Sequence, residues 1–133
     1  MIHLVTGGSG SGKSAYAEQC ILDFGGTRRV YIATMQPFGA EGQARIARHR
    51  KMRAAKKFST IECYTNLKEV ELEPGSDVLL ECMSNLTANE IFDPSGAGKA
   101  RTEEEILAGL SRLANQARNL VLVTNEIFSD GYR

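Results

Sequence analysis

The residues with the clearest chemistry lie near the start of the sequence, where positions 7–14 read GGSGSGKS. This segment satisfies the pattern G-x-x-x-x-G-K-[S/T], in which glycines let successive backbone N–H groups turn toward an anion. An apolar run at residues 2–6 precedes the motif, and a helical pattern follows from Lys13, so a helix N-terminus adds its positive end. We predict that Lys13 contacts the β- and γ-phosphates of ATP or GTP and that the Ser14 hydroxyl ligates Mg²⁺.

Acidic residues at the ends of two apolar runs are candidates for the carboxylate that a P-loop enzyme needs near its metal. Glu81 follows the run at residues 78–80, and Glu126 follows the run at residues 121–125. Both runs are too apolar for surface strands, although glutamates at strand ends are often only solvated. We favour Glu81 as the metal ligand, and Glu126 stays open as the alternative.

A basic segment at residues 45–57 carries seven of the sixteen Lys and Arg residues and no acid. At helical spacing, Arg45, His49 and Arg53 share one face. In a chain with zero net charge this concentration of positive charge indicates contact with phosphates, but a solvated helix with a surface histidine gives the same pattern. Nucleic-acid binding is disfavoured, because no aromatic residues for stacking are interleaved with the charges.

The elements that must position these residues alternate between strands and helices. Apolar runs predict strands at residues 2–6, 30–34, 77–83 and 120–124, with 59–63 as a further candidate. Helical patterns follow the first strand and span residues 41–57, while Ser84-Asn85 offers a cap for a helix ending near Phe92. A last helix starts with a T-x-x-E capping box at Thr102 and Glu105. We therefore predict an α/β fold of the P-loop NTPase (RecA-like) type, a mostly parallel sheet with helices on both faces.

Composition narrows the classes of partner and location. Sixteen basic and sixteen acidic residues cancel, so the net charge favours neither a nucleic acid nor an anionic membrane. No apolar run approaches the ~18 residues of a membrane span, and the strand pattern directly after Met1 leaves no room for a signal peptide. Three scattered cysteines fit a reducing compartment. We expect a cytoplasmic protein with no nucleic-acid partner and no membrane span.

Taken together, these segments resemble the bifunctional adenosylcobinamide kinase / adenosylcobinamide-phosphate guanylyltransferase family of cobalamin biosynthesis. The matching segments follow the family's order over nearly the whole chain; they are LVTGGSGSGKS, YIAT, ARIARHRKMR, TIEC, LLECMSN and VLVTNE. The resemblance implies that ATP or GTP phosphorylates the aminopropanol hydroxyl of adenosylcobinamide. It also implies that GMP passes from GTP to that phosphate through a guanylyl-histidine intermediate, giving adenosylcobinamide-GDP. Members of the family are similar in being homotrimers with sites near subunit contacts.

The resemblance also gives roles to residues of this chain by matching position. His49 would be the guanylylated residue, whose imidazole attacks an α-phosphate while flanking arginines stabilise the developing charge. Lys13 would be the second catalytic residue, and Ser14 and Glu81 the metal ligands. The residues that would line the nucleotide site are Gly7, Gly8, Ser9, Gly10, Ser11, Gly12, Lys13, Ser14, Ala33, Thr34, Met35, Arg50, Lys51, Met52, Arg53, Glu62 and Glu81.

Two features depart from the family pattern. Gly10 stands where the family commonly carries an arginine, which predicts weaker phosphate contacts or a changed choice of nucleotide. The family continues past VTNE with further helix and strand, so we expect residues 1–133 to form a single P-loop domain without those last elements. Two alternatives stay open: a P-loop kinase of another small metabolite, and a non-catalytic nucleotide-binding subunit.

Overall fold

The computed structural model describes residues 2–7, 12–36 and 39–125, without the side chains of Glu41, Arg45, His49, Met52 and Asn125. Strands and helices alternate as predicted, with bounds that differ from the expected ones by a residue or two. Across the described ranges, we find no helix with the length and apolar character needed to cross a bilayer. The elements in chain order are β1 (Ile2–Gly7), α1 (Lys13–Asp23), β2 (Arg28–Ala33), α2 (Gly39–Ala55), β3 (Phe58–Glu62), a 3₁₀ turn (Leu67–Glu69), β4 (Ser76–Glu81), α3 (Met83–Phe92), α4 (Thr102–Gln116) and β5 (Asn119–Asn125).

The five strands form one sheet in the order β1-β5-β4-β2-β3, and every neighbouring pair is parallel. The central strand, β4, contains Val78, Leu79 and Leu80, all of which have no solvent exposure. An unbroken apolar run is what a parallel strand needs when both of its faces are covered. The prediction of an α/β fold with a mostly parallel sheet is confirmed.

Helices cover both faces of the sheet. On one face, Leu79 and Val121 pack against Ala17 and Ile21 of α1. The carboxyl ends of β1, β2 and β4 lie at one edge of the sheet, because parallel strands all run the same way. The opposite face lies under α3 and α4, and the buried residues there include Ile32, Val78, Leu80, Leu86, Ile106, Leu113, Leu120 and Leu122.

The start of α3 differs from the prediction that Ser84-Asn85 caps it. The helix begins at Met83, and its N-cap residue is Cys82. Cys82 is held there by the hydroxyl of Thr34, which donates to the Cys82 carbonyl and accepts from the Cys82 N–H, both at 2.8 Å. This contact between strand ends stops β4 and fixes where the helix begins, so tertiary structure overrides the local capping signal.

The prediction that Thr102 and Glu105 form a capping box at the start of α4 is also wrong. Thr102 is already helical, and its hydroxyl donates to the carbonyl oxygen of Gly98 at 2.7 Å. The carboxylate of Glu105 accepts from the ammonium group of Lys68 at 2.7 Å. Thr102 therefore bonds the segment that leads into α4, and Glu105 bonds the 3₁₀ turn packed against the helix. Neither side chain caps the first turn.

The close packing of α4 on the 3₁₀ turn gives a prediction for Gly109. Alanine usually stabilises a helix interior by about 0.5–1 kcal/mol relative to glycine. A Cβ atom at Gly109, however, would lie 2.7 Å from the Cβ atom of the buried Leu67. We expect Gly109→Ala to lower the free energy of unfolding by about 1–3 kcal/mol through overpacking.

Thermal unfolding followed by circular dichroism measures this effect, with Ser111→Ala on the exposed side of α4 as the matched control. The control should leave Tm unchanged or raise it. A higher Tm for Gly109→Ala would show that the turn yields without cost.

Candidate functional site

The phosphate motif lies between the end of β1 and the start of α1. Gly12 precedes the helix with φ of +80°, in the left-handed region that glycine adopts without steric cost. Gly12 has no side chain to cap α1, so the N–H groups of the first turn and the helix dipole suit an anion. Lys13, with Gly7 and Gly12, lines a pocket of about 490 Å³. The middle of the motif lies outside the described residues; it comprises Gly8, Ser9, Gly10 and Ser11.

The two predicted metal ligands are in contact with each other. The hydroxyl of Ser14, in the first turn of α1, donates to the Oε2 atom of Glu81 at the end of β4. Hydroxyl and carboxylate oxygens are the ligand atoms that Mg²⁺ prefers, so this pair fits that ion. Glu126, the alternative acid, lies outside the described residues.

Tyr31 contacts Glu81 from the neighbouring strand, and the sequence analysis did not predict it. Its hydroxyl donates to the Oε1 atom of Glu81 at 2.9 Å. Burial, and then the negative charge of Glu81, raise the pKa of Tyr31, so the phenol stays a protonated donor. A buried tyrosine was visible in the sequence as a hydroxyl that needs a partner, but the partner depends on the register of β2 against β4.

The same aromatic ring supports a guanidinium group from α2. The central carbon of the Arg53 guanidinium lies 3.5 Å from the centroid of the Tyr31 ring, and Arg53 is only 5% exposed. Among the described atoms, the Nε of Arg53 is buried and has no hydrogen-bond partner. The structure therefore joins the basic helix α2 to the pair formed by Ser14 and Glu81 through Tyr31.

These side chains line one pocket of about 250 Å³ between α1, β2, β4 and the end of α2. Its rim carries an ion pair between Lys56 and Glu18, with 2.7 Å between the ammonium nitrogen and a carboxylate oxygen. The pocket thus contains oxygen donors for a cation next to a buried positive charge. Its lining residues are Ser14, Ala15, Glu18, Tyr31, Arg53, Lys56 and Glu81.

Other residues predicted at the nucleotide site form a separate cluster at the surface. Arg50 and Glu62 are partly exposed, and 2.6 Å separates a guanidinium nitrogen from a carboxylate oxygen. The other oxygen of Glu62 accepts a hydrogen bond from Tyr64, whose pKa is raised to about 12, chiefly by burial and then by this bond. Lys51 is exposed on α2. Arg50 therefore contacts β3, whereas Arg53 contacts β2.

The predicted segment at residues 33–35 lies beside the end of β4. Ala33 is paired with Glu81, and the Thr34 N–H donates to the Glu81 carbonyl at 3.2 Å. Thr34 is fully buried with its hydroxyl bonded to Cys82, whereas Met35 is partly exposed. The structure thus gives Thr34 the task of holding the backbone that carries Glu81.

The predicted nucleophile belongs to α2, in the turn before Arg53. His49 and Met52 are within the helix, but their side chains lie outside the described part of the chain. His49 and Arg53 are four residues apart within this helix.

A parallel α/β sheet with a G-x-x-x-x-G-K-S motif between β1 and α1, and a carboxylate at the end of the central strand β4 beside the motif's serine, defines a P-loop nucleotide-binding protein. A family model described as cobinamide kinase / cobinamide phosphate guanyltransferase matches residues 3–132. The chain belongs to this family of transferases, which confirms the resemblance seen in the sequence motifs.

Individual relatives agree with the family match. The chain is 35% identical to the bifunctional adenosylcobalamin biosynthesis protein CobU of Escherichia coli strain K12, over 96% of this chain and 76% of the relative. The identity and both coverages are the same for the protein of that name from Salmonella typhimurium. The bifunctional adenosylcobalamin biosynthesis protein CobP of Pseudomonas aeruginosa is 34% identical, over 95% of this chain and 72% of the relative.

The buried guanidinium of Arg53 gives a prediction that separates binding from stability. Arg53→Met keeps most of the apolar contact with Tyr31 but removes a buried charge, so we expect an unchanged or higher Tm. Affinity for GTP should fall at least about tenfold, because a hydrogen bond to a charged group contributes roughly 1.5–3 kcal/mol.

Equilibrium titration with a fluorescent GTP analogue and thermal unfolding together test this expectation. Arg112→Met is the matched control, because it removes an exposed guanidinium from α4, on the other face of the sheet and outside every predicted site. A lower Tm with wild-type GTP affinity would show that Arg53 serves the fold alone.

Proposed function

We propose that this chain phosphorylates adenosylcobinamide with ATP or GTP and then transfers GMP from GTP to adenosylcobinamide phosphate, giving adenosylcobinamide-GDP. Membership of the cobinamide kinase / cobinamide phosphate guanyltransferase family supports both halves of the proposal. The structural observation that carries it is the contact between Ser14 and Glu81 in a pocket shared with the basic helix. Metal-dependent phosphate chemistry and an arginine-bearing helix then act at one site.

In the proposed kinase step, the aminopropanol hydroxyl oxygen attacks the γ-phosphorus of the triphosphate. The bond between that phosphorus and the β–γ bridging oxygen breaks, the nucleoside diphosphate leaves, and the hydroxyl proton is released. Lys13 and the N–H groups of the first turn of α1 bind the phosphates. Ser14 and Glu81 would hold Mg²⁺, which when bound would neutralise charge on the phosphate oxygens.

In the proposed guanylyl transfer, an imidazole nitrogen of His49 attacks the α-phosphorus of GTP, and pyrophosphate leaves. A phosphate oxygen of adenosylcobinamide phosphate then attacks the same phosphorus. This second attack frees His49 and forms the diphosphate bond of the product. The buried charge of Arg53, on the same helix as His49, supports the proposal because a desolvated cation stabilises negative charge on the transferring group.

The proposal extends to the assembly and its location. Residues 1–133 form one nucleotide-binding domain, subunits assemble as a homotrimer, and the protein works in the cytoplasm, where ATP and GTP are abundant. The family resemblance supports the trimer, and the nucleotide substrates support the location.

Covalent labelling tests the guanylyl-histidine intermediate. Incubation with Mg²⁺ and GTP labelled at the α-phosphate should leave label on the protein that is labile in acid and stable in base, as a phosphoramidate is. His49 and His3 are the two histidines of the chain, so His49→Asn should abolish the label while His3→Gln retains it. Persistent labelling of His49→Asn, or none on the wild type, would exclude this intermediate.

Separate assays of the two reactions distinguish the bifunctional enzyme from a simple kinase. Lys13→Ala should slow both phosphorylation of adenosylcobinamide and GMP transfer at least about 100-fold, because each depends on the bound triphosphate. His49→Asn should slow only GMP transfer to that extent. Equal loss of both reactions in His49→Asn would argue against a nucleophilic role. Saturable GTP binding with no release of phosphate or pyrophosphate would indicate a non-catalytic subunit.

A further inference from the structure

Tyr31 connects the pair formed by Ser14 and Glu81 to the basic helix α2. The residue lies in β2, next to the central strand, and is 6% exposed. Its hydroxyl bonds the Oε1 atom of Glu81, while Ser14 bonds the Oε2 atom. The two oxygens of one carboxylate are therefore held by different elements of the fold.

This arrangement fixes which oxygen of Glu81 faces the start of α1. A carboxylate can rotate about its terminal bond, so one hydrogen bond alone leaves its second oxygen poorly oriented. The donor on Oε1 keeps Oε2 directed at the Ser14 hydroxyl. Mg²⁺ would be held beside these two oxygens. Partners that orient a ligating carboxylate in this way commonly change metal affinity 10- to 100-fold when they are removed.

The ring of Tyr31 has a second task that does not involve its hydroxyl. It lies against the guanidinium of Arg53, which fixes the position of that buried cation. An aromatic face holds a cation without neutralising its charge, whereas a carboxylate would cancel it. The hydroxyl and the ring can therefore be tested separately.

We propose that Tyr31 is a positioning residue, whose hydroxyl orients the Glu81 carboxylate for Mg²⁺ and whose ring holds Arg53 for the nucleotide phosphates. This inference rests on the proposed function for the identity of the ligands, and it adds a residue that none of the site predictions included. Tyr31 acts through Glu81 and Arg53 and needs no contact with the substrate.

The test compares GTP affinity with Mg²⁺ and with excess EDTA, using a fluorescent GTP analogue and the whole chain. Tyr31→Phe removes the hydroxyl but keeps the ring, so affinity in Mg²⁺ should fall about tenfold while affinity in EDTA stays unchanged. Tyr31→Leu removes both features, so affinity should also fall in EDTA. Binding of Mn²⁺ with GTP, measured by electron paramagnetic resonance, should weaken by a similar factor in Tyr31→Phe and provides a direct readout of the metal.

Tyr64→Phe is the matched control, because it also deletes a hydrogen bond from a tyrosine to a glutamate. The glutamate in this case is Glu62, which is not one of the two proposed metal ligands. It should leave the ratio of the two affinities at its wild-type value. A wild-type ratio in Tyr31→Phe, or an equal loss with and without metal, would overturn the proposal. A wild type with metal-dependent GTP binding but no label on His49 would defeat the proposed function while leaving the Tyr31 test intact. A wild-type protein whose GTP affinity is the same in Mg²⁺ and in EDTA would overturn both proposals.

Discussion

The hydrogen bond between Ser14 and Glu81 joins two parts of the chain that are 67 positions apart, and the rest of the site depends on it. It forms because β4 is the central strand and α1 packs directly across it through Ala17 and Ile21, both fully buried. Moving the helix by a fraction of a turn would separate the hydroxyl from the carboxylate. The apolar contact beneath α1 is thus what brings the phosphate motif to the acid, since hydrophobic packing provides most of the free energy that places a helix on a sheet.

A partly buried carboxylate is costly unless its oxygens are bonded, and the fold meets this cost from three directions. Tyr31 and Ser14 bond the two oxygens, and Thr34 holds the backbone on which Glu81 stands. If Ser14 and Glu81 hold a cation, as proposed, coordination would replace the bond from Ser14 while the bond from Tyr31 would persist.

The sequence predicted the features that local patterns determine. The glycine-rich motif, the acid at the end of a buried strand and the alternation of strands and helices all lie within short segments. The sheet and the family membership are accordingly confirmed. The roles of individual site residues remain predictions, and those of residues 8–11 and Glu126 fall outside the described residues.

Features that depend on how segments meet were missed. The bond from Tyr31 to Glu81 requires the register of β2 against β4, which no window of sequence contains. The same limitation explains the two wrong helix caps. Thr34 determines where α3 begins, and Lys68 removes Glu105 from the capping box, each through a contact distant in sequence. Capping signals contribute only about 1 kcal/mol, so a tertiary contact of similar strength overrides them.

The basic segment illustrates how the structure divides a charge pattern that the sequence could only describe as a whole. Arg50 is paired with Glu62 and Lys56 with Glu18, so these cations are partly neutralised by acids on β3 and α1. Arg53 lies on the face of Tyr31 instead, buried and with its charge not cancelled by that contact. Desolvating a cation on an aromatic ring costs free energy in the unliganded protein, and an anion that enters the same pocket recovers it. This difference favours phosphate contact over a solvated helix. Within the basic segment, Arg53 is the candidate for that contact, because it lies in the same pocket as Ser14 and Glu81.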